Sequence, residues 1–249
     1  MTGKKIKVYP SISEACKALA EAVIDVAQNS IAKSGRFTLV LSGGDTPQTL
    51  YNMLAGEYRA RMPWLETHFF FGDERLVPMD SVDSNYRLAN ECMFTKAEVP
   101  KRNIHPVPTW LGFEKAAQAY EDELKRFFKI EKDSRDFPVF DVVLLGVGVD
   151  GHTASLFPRD EVLGERSHWV AQVSAPDGYP IRQRITLTLP IINKARNVFF
   201  LVSGKEKKDV VKAILKNPVD VTSLPASMVK PRRGVTWFLD EATAEGLKC

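Results

Sequence analysis

The stretch Gly146-Val147-Gly148-Val149-Asp150-Gly151-His152-Thr153-Ala154-Ser155-Leu156-Phe157-Pro158 gathers glycines, one acid and one histidine directly after an apolar run. Imidazole is the side chain best suited to exchange a proton near neutral pH, so His152 is the candidate base. Asp150, two residues away, can fix the imidazole tautomer and stabilise the cation that forms. The GxG here lacks the third glycine of a dinucleotide fingerprint, and the neighbourhood of Ser155 does not match the GxSxG elbow of serine hydrolases. His68 opens an apolar run, His105 precedes a proline and His168 adjoins Trp169, contexts that suit structural or exposed histidines.

A second chemical loop is Ser42-Gly43-Gly44-Asp45-Thr46, followed by Pro47. Paired glycines let the backbone approach a phosphate closely, and a following helix offers unpaired N–H groups and a partial positive charge. The same residues also suit an ordinary turn with Thr46 as helix cap. Asp45 would repel a phosphate unless its side chain points away. A third loop, Gly72-Asp73-Glu74-Arg75-Leu76-Val77-Pro78, either pairs Arg75 with Asp73 or Glu74 on a solvated surface or presents the guanidinium to an oxyanion. Arg184 and Lys207, beside later apolar runs, offer the same choice between surface and substrate.

These residues need elements to place them. Ser11 or Ser13 can cap a first helix in which Leu19, Val23, Val26, Ala27 and Ile31 recur at helical spacing, with Gly35 to close it. Phe37 to Leu41 then reads as a strand entering the glycine loop. Further apolar runs at His68 to Phe71, Phe140 to Leu145, Trp169 to Val173, Ile185 to Leu189, Val198 to Val202 and Val235 to Leu239 look like strands buried on both faces. Helical patterns lie between several of them, notably Phe113 to Ile130 and Glu206 to Leu215. The expected fold class is α/β: a mostly parallel, twisted, Rossmann-like sheet with helices on both faces and right-handed crossovers. Ligands in such folds bind beyond the carboxyl ends of the strands, where the three loops fall. No linker or repeat divides residues 1–249, so one domain is expected, with the loop Ser174 to Gln183 bordering the site.

Composition narrows the partners. The chain has 249 residues, 44% of them apolar, and a formal charge of +3 built from interspersed signs. No long basic run suggests nucleic acid or a membrane surface, and a modest positive excess suits a small anion. The three cysteines, Cys16, Cys92 and Cys249, form no CxxC pair, so neither a disulfide framework nor a zinc site is expected. Glu14, Glu21 and Asp25 interrupt any signal-peptide core, no apolar run reaches membrane-spanning length, and nothing follows Cys249 to make a prenylation box. A cytoplasmic location is the expectation.

Taken in order, the loops resemble the 6-phosphogluconolactonase family. The matching stretches are SGG at Ser42, GDERLVP at Gly72, SNY at Ser84, GVGVDGHTASLFP at Gly146, RITLTLP at Arg184, SGKEK at Ser203, and LPASMVKP with GVTWFLDEA from Leu224. The resemblance covers nearly the whole chain. It implies hydrolysis of 6-phospho-D-glucono-1,5-lactone to 6-phosphogluconate in the oxidative pentose phosphate pathway, on a phosphosugar isomerase/deaminase-like fold. It implies no metal and no organic cofactor, and no obligate protein partner is evident from the sequence. Carried over by motif, His152 is the catalytic residue with Asp150 nearby, and Ser42, Gly43, Gly44, Thr46, Arg75, Arg184 and Lys207 surround the substrate. Many relatives carry serine or threonine where Asp45 stands, so that side chain is left out of the phosphate contacts. Two alternatives remain: a glucosamine-6-phosphate deaminase or isomerase, whose GxGxDGH loop typically runs on to an Asn-Glu-Pro ending that Thr153 to Pro158 does not have, and a non-catalytic sugar-phosphate sensor, which would have no need of His152 and Asp150 together.

Overall fold

The computed structural model describes residues 3–131, 134, 136–216 and 218–247, which leaves Cys249 outside the described residues. Among the described residues nine strands form: β1 (Lys4–Tyr9), β2 (Phe37–Leu41), β3 (Thr67–Phe71), β4 (Asp73–Arg75), β5 (Val142–Leu145), β6 (Val170–Ser174), β7 (Gln183–Leu187), β8 (Asn197–Val202) and β9 (Val235–Asp240). Six of them make a parallel sheet in the order β1-β9-β8-β5-β2-β3. Its central strands are almost wholly apolar, FTLVL in β2 with Thr38 as the exception and VVLL in β5, and every one of those residues is buried, as expected of a sheet covered on both faces.

The helices follow their sequence signals. Ser11 caps helix α1 (Ile12–Ser34), its hydroxyl accepting from the Glu14 N–H at 3.3 Å, and Gly35 closes it in the left-handed region at φ 72°. Helix α2 (Thr46–Ala55) carries Pro47 in its first turn and has no side-chain cap, which removes Thr46 as a cap. The helix predicted over Phe113 to Ile130 ends at Phe128, and that predicted over Glu206 to Leu215 begins as a 3-10 turn, Lys205–Lys207, before the helix Lys208–Leu215.

Two of the apolar runs do not join the parallel sheet. Val170–Ser174 and Gln183–Leu187 pair antiparallel with each other, and β4 adds to β7, giving a separate three-stranded sheet in the order β4-β7-β6. Strand β6 is a half-exposed edge, with Gln172 and Ser174 in solvent. Trp169 falls before it, its N–H bonded to the Glu121 carboxylate at 2.8 Å. Leu189 belongs to the helix Leu189–Lys194, which Pro190 opens. Gly72 joins the two sheets: its N–H donates to Leu41 at 2.9 Å and its carbonyl accepts from Leu187 at 2.8 Å. The lysine-rich β1, not expected from an apolar pattern, runs along the open edge of the parallel sheet beside β9. Cys16 and Cys92 are both unpaired, and among the described residues no helix is long and apolar enough to cross a membrane.

His68 and His105 hold the far edge of the sheet. His105 Nδ1 lies 3.0 Å from Glu123 Oε1 and its Nε2 3.1 Å from His68 Nδ1, with Phe70 stacked on the His105 ring and Phe127 against both imidazoles. Burial, then the neighbouring His105, Arg36 and Arg102, push the His68 pKa down to about 4. The folded state therefore prefers neutral His68, while the unfolded chain protonates near 6.5, so stability falls as pH drops from about 6.5 to about 4. His68→Phe should reduce the difference between denaturant midpoints at pH 7 and pH 5 relative to the parent protein.

Candidate active site

Strand order decides where the chemical loops meet. Strands β2, β5 and β8 are neighbours, so the loops leaving their carboxyl ends lie side by side. From β2 the chain continues to β3 on one side and returns through β5 on the other, which makes this a point where the winding direction reverses and a crevice opens. A cleft of about 400 Å³ occupies it, lined by Ser42, Gly43, Gly44 and Thr46 after β2, by Gly148 and His152 after β5, and by Lys207 after β8. Arg75 and Arg184 enter from the small antiparallel sheet. The structure thus brings together all the predicted site residues except Asp150, which stands behind the histidine ring rather than in the lining.

The His152 loop is built around its glycines. Gly148 donates its N–H to the His152 carbonyl at 2.9 Å, and Gly151 turns at φ 85° with its N–H bonded back to Gly148. A Cβ at position 148 would lie 2.0 Å from His152 Nδ1 and 2.6 Å from Asp150 Oδ1, so only glycine leaves room for the pair. Asp150 Oδ1 is 2.6 Å from His152 Nδ1 and also accepts the His152 backbone N–H at 3.1 Å. With Nδ1–H committed to the carboxylate, the ring nitrogen left for a substrate is Nε2, which has no partner among the described residues. Burial alone would raise the Asp150 pKa; the hydrogen bond and charge of His152, the backbone N–H and the Tyr179 hydroxyl outweigh it and bring the carboxyl down to about 2.

The glycine loop after β2 is held from below. The Tyr51 hydroxyl accepts the Ser42 N–H at 3.0 Å and donates to the Ser42 carbonyl at 2.7 Å. The N–H groups of Gly43 and Gly44 donate to no acceptor among the described residues, and the uncapped start of α2 follows. Exposed Asp45 lines the cleft, with its carboxylate accepting from Gln48 Nε2 at 3.3 Å.

Of the two readings of the GDER segment, the solvated loop does not form: Asp73–Arg75 is a short strand with Glu74 as its buried anchor. Glu74 accepts the N–H groups of Arg75, Asn85 and Tyr86, each at 2.8 Å, and the Ser84 hydroxyl at 3.1 Å. Among the described residues Arg75 pairs with neither Asp73 nor Glu74, and its Nη1 donates instead to the Asp83 carbonyl at 2.7 Å. Arg75 stands directly across the β4–β7 ladder from Arg184, itself only 7% exposed. Burial lowers the Arg184 pKa and Asp73 beside it acts in the opposite sense; its high ordinary value keeps it charged. Lys207 Nζ donates to the Val147 carbonyl at 2.7 Å.

Sequence reasoning passed over three residues here. Asp73 lines the cleft, held by Ser155 Oγ at 2.7 Å and by Asn85 Nδ2 at 3.3 Å. Asn85 fills the space a Cβ at Gly43 would need, 2.0 Å from its Oδ1. Two buried polar atoms in this wall, Arg75 Nε and Asn85 Oδ1, have no partner among the described residues. Tyr179, in the loop expected to border the site, reaches the Asp150–His152 pair. The GDER and SNY stretches and the 174–183 loop pointed to these neighbourhoods, but nothing in the spacing showed that they converge.

The model of the family of glucosamine-6-phosphate isomerases and 6-phosphogluconolactonase matches residues 10–238. The chain belongs to this family. A 6-phosphogluconolactonase from Synechocystis sp. is 43% identical to this glucosamine-6-phosphate isomerase/6-phosphogluconolactonase family member over 222 residues, 88% of each chain. The structure of a 6-phosphogluconolactonase from Trypanosoma cruzi is 33% identical, covers 100% of this chain and 98% of its own, and superposes with a TM-score of 0.87. A monomeric glucosamine-6-phosphate deaminase, 18% identical over 96% of this chain and 98% of its own at a TM-score of 0.81, shares the fold.

Gly148→Ala should displace the imidazole while leaving the core untouched. Because misplacing a reacting group by an ångström costs about 10²-fold, turnover should fall by about that factor with a melting temperature close to the parent's; full activity in the alanine variant would show that the close packing at 148 is not required.

Proposed function

We propose that this chain hydrolyses 6-phospho-D-glucono-1,5-lactone to 6-phosphogluconate, as a step of the oxidative pentose phosphate pathway in the cytoplasm, acting as one α/β unit. The observation that carries the reading is that His152, backed by Asp150, shares one cleft with the free N–H groups of Gly43 and Gly44 and with three cations, Arg75, Arg184 and Lys207. Like charges opposite each other on a β-ladder destabilise it. The facing Arg75 and Arg184 therefore suit a cleft whose occupant is an anion.

A lactone is an activated ester, so water needs only a positioned base and donors for the oxygen that becomes negative. His152 Nε2 takes a proton from water as its oxygen bonds to the lactone carbonyl carbon. Loop N–H groups and Arg75 bind the resulting oxyanion. When the tetrahedral intermediate collapses, the bond from carbonyl carbon to ring oxygen breaks, and the imidazolium returns its proton to that oxygen. Asp150 holds the tautomer and balances the transient cation. The phosphate, carrying about −1.5 to −2 charge, sits against Ser42 to Thr46 and the cations.

The direct test compares opening of the δ-lactone with and without protein, at a pH where spontaneous opening is slow. A protein-dependent rate supports the reading, and ammonia release from glucosamine 6-phosphate in its place would transfer the chain to the deaminase activity. His152→Ala should lower kcat by roughly 10²–10⁴, with phosphate-dependent binding retained; wild-type turnover in that folded variant refutes the base. Lys207→Ala should chiefly raise KM, and an unchanged KM removes Lys207 from phosphate binding.

A further inference from the structure

Behind His152 the carboxylate of Asp150 has a second partner. Tyr179 lies in the loop between β6 and β7, and its hydroxyl is 3.1 Å from Asp150 Oδ2 and 3.2 Å from His152 Nδ1. Asp150 Oδ1 already takes Nδ1–H, so the phenolic proton is available only to Oδ2. The three groups form a closed triangle of hydrogen bonds. The Tyr179 ring meets both the imidazole and Phe157 edge-on, with centroids at 5.8 and 5.1 Å, and the Arg184 guanidinium lies 5.8 Å from its centre. Tyr179 is absent from the cleft lining. It touches the candidate base and its carboxylate.

We infer that Tyr179 is a positioning residue that tunes the candidate base: by donating to Asp150 Oδ2 it limits how strongly the carboxylate holds a proton on His152, and it locks the tautomer that leaves Nε2 facing the cleft. The physical basis is charge distribution. An unshared carboxylate in a partly buried site stabilises the adjoining imidazolium strongly and would keep the base protonated, and hence idle, to higher pH. A phenol donating to the second oxygen draws off part of that charge while the Oδ1 bond to Nδ1–H persists. Burial, then the charge and hydrogen bond of Asp150, raise the Tyr179 pKa to about 12, so the phenol keeps the proton it donates across the physiological range.

The charged groups that line the cleft, besides exposed Asp45, are Asp73, Arg75, Arg184, Glu206 and Lys207. Tyr179→Phe removes one hydroxyl and leaves those five groups, the ring packing and the Arg184 contact in place. A purely structural tyrosine would lower stability without altering proton affinity at position 152.

The test reads the pH dependence of two quantities in the parent, in Tyr179→Phe, in Asp150→Asn and in the double variant. One is kcat/KM for the lactone, which rests on the function proposed above. The other is the rate at which diethyl pyrocarbonate acylates His152, followed by mass spectrometry, which needs no lactonase activity. Exposed His168 serves as the internal control. In Tyr179→Phe the acid limb of both profiles should move up by roughly 0.5–1 pH unit, with KM and the His168 profile unchanged, and the shift should vanish on the Asp150→Asn background. Identical acylation profiles in parent and Tyr179→Phe, or an undiminished shift without the carboxylate, overturn the inference. Absence of lactone turnover in the parent protein counts against the proposed function instead, and the acylation profiles still decide the role of Tyr179.

Discussion

The 2.6 Å contact between Asp150 and His152 exists only because position 148 has no side chain. Most of the site follows from that constraint. A backbone able to fold so tightly brings the carboxylate onto Nδ1 and leaves Nε2 for the cleft, and the loop can do this only where it is free of the sheet ladder, beyond Leu145. Since β5 lies between β2 and β8, a histidine projected there has a glycine loop on one side and the Ser203–Lys207 segment on the other. The parallel sheet contributes little chemistry of its own; it fixes the separation of three loops that are distant in sequence.

The small antiparallel sheet supplies what the parallel one lacks. Strand β4 begins one residue after β3 ends, and Gly72 bonds to both sheets, so Arg75 and Arg184 are delivered from rigid strands to the mouth of the crevice. Placing two guanidinium groups opposite each other on a ladder costs stability. The buried Glu74 carboxylate offsets part of that cost: it gathers three backbone N–H groups and a hydroxyl, which fixes the Arg75 backbone and the Ser84-Asn85-Tyr86 turn together. Tyr179 and Arg184 sit on the same β6–β7 hairpin, so the group that touches the base and one cation of the cleft share a support.

What the sequence made legible was whatever local pattern determines. The strand–loop–helix at Phe37 to Ala55, the glycine-rich loop after β5 and the capped helix α1 all declare themselves through apolar runs, glycines and a serine cap. The second sheet did not. Val170–Ser174 and Gln183–Leu187 are apolar enough to pass for buried parallel strands, and their antiparallel pairing depends on tertiary placement that periodicity does not encode. For the same reason local pattern does not reveal the roles of Asp73, Asn85 and Tyr179: Asp73 is held by Ser155, 82 residues away, Tyr179 reaches His152, 27 residues away, and Asn85, held by Glu74 and Asp73, packs against Gly43, 42 residues away. For Arg75 the sequence leaves open an ion pair with a neighbouring carboxylate or a guanidinium offered to an oxyanion, because spacing alone does not show that Glu74 turns inward to backbone N–H groups.

The charge of the cleft bears on how an anion could be held there. Arg75, Arg184 and Lys207 are matched in number by Asp45, Asp73 and Glu206 in the same lining. Net charge therefore gives little attraction at the distance of a screening length; discrimination must come from where each group lies. Asp73 is pinned by Ser155 and Asn85 on the wall that carries Arg184, and Asp45 is exposed and bonded to Gln48. Directional donors are also offered by the N–H groups of Gly43 and Gly44 and by the uncapped start of α2 that follows them. A phosphate held by such donors is oriented as well as attracted, which is what a base fixed on a neighbouring loop requires: the anchored end of the substrate sets where its carbonyl falls relative to Nε2.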